Sequence, residues 1–175
     1  KSIANVTSTI KQHSSLYVGD TITTGNSSTT TLKLKDDSTL LLGANTTFTI
    51  NEFKSKTTEQ RVGVFTTTTG FIKAWIRKKQ NNQRVLFKTK RVAMGVRGTT
   101  FTLSTLPNGS NEITETLITE GEIEVLKADE SQLDSPIIIK GDSAGVSSHQ
   151  ANSFLIKVAR ILETIFSGEV AQAVA

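Results

Sequence analysis

The chain has 175 residues, no cysteine and a formal net charge of +4, with 36% hydrophobic and 21% charged residues. That length carries one core with a short appendage. The missing cysteines exclude disulfide staples and thiolate metal sites without fixing a compartment, and no apolar run approaches the roughly 20 residues of a membrane-spanning helix.

Threonine is abundant beside valine and isoleucine while proline occurs only twice, a balance that favours a pleated, half-buried surface over a helix. Residues 1–17 read as an N-terminal lead-in. The segment Val18-Gly19-Asp20-Thr21-Ile22-Thr23-Thr24-Gly25 then opens the ordered body. Apolar residues alternate at Leu32 and Leu34, at Leu40 and Leu42 and at Phe48 and Ile50, with Asp36-Asp37-Ser38 as the turn between the first two pairs. Further short runs follow at Val62–Val64, Ile72–Ile76, Val85–Phe87, Phe101–Leu103, Ile113–Leu117, Ile123–Val125 and Ile137–Ile139, each bounded by turn residues. Such alternation predicts strands of about five residues. The fold class expected is all-β, a short β-solenoid-like or double-sheet domain over residues 18–147. Two faint echoes, Gly70-Phe71-Ile72 against Gly121-Glu122-Ile123 and Val18-Gly19-Asp20 against Lys140-Gly141-Asp142, suit stacked turns of a solenoid. An antiparallel sandwich gives the same spacing.

Within Val92–Leu103, an arginine between two glycines, Gly95-Val96-Arg97-Gly98-Thr99, interrupts a strand-like run. Glycines there permit positive φ or close backbone approach, so Arg97 would project from a tight corner. Its guanidinium would hold carbonyls at that corner or, on the sharper reading, a partner's carboxylate. Near the end, Phe154, Leu155, Val158, Ile161, Leu162, Ile165 and Phe166 fall at helical spacing. This predicts an amphipathic helix over 152–167, within a C-terminal segment 148–175, that covers exposed strand edges or docks on a partner.

The ordered set of Gly19-Asp20 with Thr24-Gly25, the Asp36 turn, Gly43-Ala44-Asn45-Thr46, Arg97-Gly98-Thr99, the strand after Gly121 and Lys140-Gly141-Asp142 resembles the FecR-like domain. Asp37 stands where that family usually has glycine, which places it in the left-handed region. Domains of that family are best known as the outward-facing part of transmembrane regulators; this chain shows neither an anti-sigma region nor a membrane span, and a stand-alone exported form is expected. The resemblance also implies a periplasmic or extracellular location, the export signal having been removed, and a role in sensing and signal transduction.

Catalytic chemistry is sparse. His13 and His149 are the only histidines and neither sits in metal-ligand spacing, so the sequence predicts a non-enzymatic protein with no cofactor and no metal. Charge is uneven: Arg77, Lys78, Lys79, Arg84, Lys88, Lys90 and Arg91 contain no acid among them, whereas eight acids between Glu112 and Asp134 face only Lys127. Adjacent strands would pair these charges across a sheet, or a bipolar surface would steer a charged partner. Trp75, Phe71 and Phe87 near the basic run raise nucleic acid as a third ligand class, which the modest net charge disfavours. The function expected is a non-catalytic binding or sensing module for another envelope or surface protein. The alternative is a carbohydrate-binding module for a cell-wall or surface polysaccharide.

Overall fold

The computed structural model describes residues 7–55, 61–78, 83–108, 111–127, 137–141, 145–148 and 154–157. Among them are thirteen strands and no helix: β1 (Thr21–Thr23), β2 (Thr30–Lys33), β3 (Thr39–Leu42), β4 (Thr47–Ser55), β5 (Arg61–Trp75), β6 (Gln83–Lys88), β7 (Val92–Val96), β8 (Thr100–Asn108), β9 (Asn111–Glu120), β10 (Glu122–Lys127), β11 (Ile137–Lys140), β12 (Gly145–Ser148) and β13 (Phe154–Lys157). All pair into one sheet. Every pairing is antiparallel except β5 with β6. The all-β expectation holds, and the arrangement is a mixed sheet in two wings.

Strand β5 joins the wings. Its first half lies between β4 and β6, in a wing ordered β11-β10-β7-β6-β5-β4-β1. Its second half lies between β3 and β8, in a wing ordered β2-β3-β5-β8-β9-β12-β13. The partners change at Gly70, which has φ +105°, a conformation that L side chains resist. A Cβ at Gly70 would also overlap the Thr46 backbone. The Thr46 hydroxyl accepts from the Phe71 amide at 3.0 Å and donates to the Phe71 carbonyl at 3.2 Å, so the bend keeps its backbone groups satisfied. The sequence predicts two separate strands at 62–64 and 72–76. One strand forms instead, because Phe65–Thr69 offers β-formers and no turn chemistry, and Gly70 bends the chain without ending the ladder.

Bending at Gly70 lets the wings enclose a single core. Four phenylalanines with no measurable exposure cross it in sequence. Phe48 and Phe65 stack at 5.6 Å, Phe65 and Phe87 meet at 5.1 Å, and Phe87 meets Phe101 of the other wing edge-on at 5.0 Å. Such contacts contribute about 0.5–1.5 kcal/mol each beyond the area they bury. Leu40, Leu42, Ile72, Leu103, Ile118 and Ile123 fill the space around them, each from an inward position of its alternating strand.

One ion pair ties the two ends of β5 together. A straight strand of this length would extend about 50 Å, yet Arg61 at its start donates to the carbonyl of Arg77, just past its end, at 2.8 Å. The Arg61 guanidinium also meets the Asp36 carboxylate and donates to Ser38 Oγ at 2.9 Å. Asp36 is held in turn by the Ser38 amide at 3.0 Å. Arg61 is 2% exposed and Asp36 1%. Burial pushes the Arg61 pKa below its ordinary range, and the Asp36 carboxylate opposes that shift.

At the C-terminus the structure corrects the expected helix over residues 154–157. Phe154–Lys157 pairs antiparallel with β12 as an outer strand. Four consecutive residues, Phe-Leu-Ile-Lys, suit either period, and the open edge of β12 selects the strand. The rest of the predicted helix, residues 152–153 and 158–167, lies outside the described residues.

Arg61→Ala strands a buried carboxylate, and urea denaturation should show a loss of about 3–5 kcal/mol. Replacing both partners by apolar residues, Arg61→Met with Asp36→Leu, should recover a substantial part of that loss. Equal destabilisation by the single and double variants would show that the pair itself is not the constraint.

Candidate protein-binding face

The motif residues singled out in the sequence mostly hold backbone together. Gly19 has φ +96° and donates to the Ile50 carbonyl at 2.7 Å, while Asp20 accepts from the Tyr17 amide at 2.8 Å. Buried Thr24 donates to the Gly43 carbonyl at 2.5 Å and accepts from the Thr46 amide at 2.9 Å. The Gly25 carbonyl accepts from the amides of Ser28 and Asn45. Asp36 belongs to the buried ion pair, and Asp37 adopts the left-handed conformation expected of it, φ +65°.

The second motif is a contact between two glycines. Gly98 has φ +61° and Gly121 φ +87°, and a Cβ on Gly121 would lie 2.6 Å from the Gly98 carbonyl. A Cβ on Gly98 would lie 2.5 Å from that of Lys78. Buried Thr99 donates to the Glu122 carbonyl at 2.8 Å and accepts from the Arg97 amide at 3.3 Å. The corner is therefore fixed by backbone and Thr99, without the Arg97 guanidinium. Arg97 is exposed and its side chain makes no hydrogen bond or ion pair among the described residues. The expectation that it holds carbonyls is thus not met, because two glycines and a threonine already close the turn.

Arg97 instead lines a shallow groove on the outer face of the first wing, with Arg84, Gly95, Glu122, Glu124 and Ile138 among its walls. Register explains the grouping: Leu86, Gly95, Glu124 and Ile138 stand opposite one another along β6, β7, β10 and β11. Gly95 has no side chain, and a Cβ there would make only ordinary contact with Glu124 at 3.7 Å. The groove floor is that gap. Leu86, Val64 and Ala93 are buried on this wing yet stand outside the core cluster, so the outer face has covered apolar residues of its own beneath the groove. Ile138, at 57% exposure, is the exposed apolar residue of the groove and stands on the outermost strand of this wing.

The basic run does not act as one surface. Arg77 pairs with Asp37 at 3.3 Å, and Lys78 lies beneath Gly98. Arg84 and Lys88 stand on β6, with Lys90 and Arg91 in the connection to β7. Lys79 lies outside the described residues. Strand β7 separates β6 from the acidic strand β10, so the expected direct cross-strand pairing is replaced by charges on either side of Gly95. At the neighbouring edge, Glu52 is held below the usual carboxylate range chiefly by its 2.7 Å hydrogen bond to Lys54, with a small contribution from Arg84. The aromatics divide as well: Phe87 is core, whereas Phe71 and Trp75 are exposed on the other wing, away from β6. Sequence reasoning missed Glu122, Glu124 and Ile138 as neighbours of Arg97, because their grouping depends on the β7–β10–β11 order, for which the alternating pattern carries no signal.

Comparison with known proteins places this geometry. The model of a family described as FecR protein matches residues 20–124, more than half the chain. Two crystal structures of a candidate anti-sigma factor from Parabacteroides distasonis share the fold, with TM-scores of 0.59 and 0.60 at 16% identity. The match covers 79% of this chain and 59% of theirs. No curated protein is significantly similar in sequence.

Arg97→Ala should leave thermal unfolding within about 0.5 kcal/mol of the parent, as expected for an exposed side chain without partners. Gly98→Ala should cost at least about 2 kcal/mol through strained φ and the clash with Lys78. Calorimetry on the two variants separates the corner from the side chain it displays.

Proposed function

This chain belongs to the FecR protein family, and we propose that it serves as a non-catalytic sensing module that recognises another protein through the Gly95 groove. The observation that carries the reading is the groove itself: Arg97 and the acids Glu122 and Glu124, none with an ion-pair partner among the described residues, line a notch with an apolar floor. Charges of both signs around an apolar strip suit an extended peptide segment carrying side chains of both signs, and give specificity and on-rate more than raw affinity. The β11 edge, with no strand beyond it among the described residues, offers the partner a ladder to extend. The absence of catalysis is part of the proposal, supported by the sparse titratable inventory. So are a periplasmic or extracellular location and a partner in the envelope or at the surface, both in keeping with the family.

Reversing charge on both walls, Arg97→Glu with Glu122→Lys, should reduce capture of the partner from envelope extract at least tenfold. Wild-type association should slow as salt rises from 50 to about 300 mM, following screening. Retention of the same partner at unchanged affinity by the double variant, with the fold intact by circular dichroism, would overturn the reading.

A further inference from the structure

The second wing carries a different surface, and we infer that it holds a binding site for a neutral polyhydroxylated ring, a glycan, centred on Trp75. Trp75 and Phe71 are each 39% exposed, four residues apart on β5 and therefore on the same outward face. Lys73 lies between them with its ammonium 5.0 Å from the Trp75 ring centroid, a cation–π distance that holds the indole in place. In register beside Trp75 are Thr39 of β3 and Thr100 of β8, which keep the surface flat and hydroxyl-bearing.

At the end of this face, Trp75 borders a concavity lined also by Asp37, Arg77, Lys78, Thr100 and Glu120. Its charge balance selects the ligand. Two acids meet two bases in its lining, Lys73 adds one positive charge beside Trp75, and Arg77 and Asp37 already satisfy each other at 3.3 Å. A phosphate or an acidic polymer would meet the carboxylates of Asp37 and Glu120, and a basic peptide the cations of Lys73, Arg77 and Lys78. What remains is an aromatic plate ringed by alternating hydrogen-bond donors and acceptors. A sugar ring is complementary to that arrangement: its C–H face lies on the indole face opposite Lys73, and its hydroxyls, each able to donate and accept, reach the Glu120 carboxylate, the Lys78 ammonium and Thr100. Neither Lys78 nor Glu120 has an ion-pair partner among the described residues. Along β8 the register places Thr100 beside Trp75, Thr102 beside Lys73 and Ser104 beside Phe71, so a row of hydroxyl residues flanks the two aromatics.

Trp75 is the only tryptophan of the chain, so its emission reports this site alone. Titration with cellohexaose, maltohexaose, mannohexaose and chitohexaose, each to about 10 mM, should give a saturable shift with at least one, in the millimolar range or tighter. Glu120→Gln should weaken that binding at least fivefold. By calorimetry, Trp75→Ala should abolish it while circular dichroism retains the native sheet signal, and Trp75→Phe should restore part of it. No saturable change with any of the four sugars would overturn the inference. So would binding that survives Trp75→Ala, or tighter binding of an anionic hexagalacturonate than of every neutral sugar.

Discussion

The buried contact of Arg61 with Asp36, Ser38 and the Arg77 carbonyl is the constraint on which the rest of the molecule depends. A fifteen-residue strand can serve two wings only if it bends, and a bend at a single glycine leaves the angle between the wings undetermined. The guanidinium fixes it. One fork of donors reaches the β2–β3 turn and the exit of β5, so the mouth of the core closes where the phenylalanine series does not extend. Burying an arginine is costly, and its lowered pKa records that cost. Apolar residues of similar volume would pack the space, but they would not select which turn meets which strand. Orientation of the wings is what the pair supplies.

Once the wings are fixed, the short motifs take on separate tasks. Gly19, Gly98 and Gly121 take positive φ at corners, where backbone meets backbone and side chains are excluded. Those corners then determine what the faces display. The Gly98–Gly121 contact sets β10 beside β7, which brings Glu122 and Glu124 beside Gly95 and exposes Arg97. On the other side of the same corner, Lys78 emerges beneath Gly98 and joins Glu120 and Trp75. A single backbone device therefore supports two chemically distinct surfaces, one with an apolar floor between charged walls, the other aromatic and flanked by hydroxyl residues.

Much of the fold was legible because it follows from local rules. Alternation at Leu40 and Leu42, at Phe48 and Ile50 and at Phe101 and Leu103 reports a pleated strand with one face buried, and those residues are core. The left-handed Asp37 was legible from the family resemblance, which usually has glycine at that place. What escaped was non-local. Arg61 sits at the start of a strand with nothing nearby to mark it as a buried ion, since its partner is 25 positions earlier and meets it only after the bend. The continuity of β5 escaped because Gly70 reads as a terminator in isolation and acts as a hinge in a ladder. Residues 154–157 escaped because so short a run, three apolar residues and a lysine, does not distinguish the helical from the extended period, and an open strand edge decides it.

Arg97 shows why motif resemblance and site chemistry must be argued separately. A residue set between two glycines in a recurring signature invites a role in holding the signature together, yet the glycines and Thr99 do that work without it. Gly98 cannot gain a side chain without displacing Lys78, and Gly121 cannot without striking the Gly98 carbonyl. The guanidinium between them is unconstrained by the corner. A charged side chain that the fold holds at a fixed place but does not use is available for recognition. That it stands with Glu122 and Glu124 around a gap with no side chain makes the availability specific: the groove offers a positive group at the end of β7 and negative groups on β10, at a place set by the β7–β10 register.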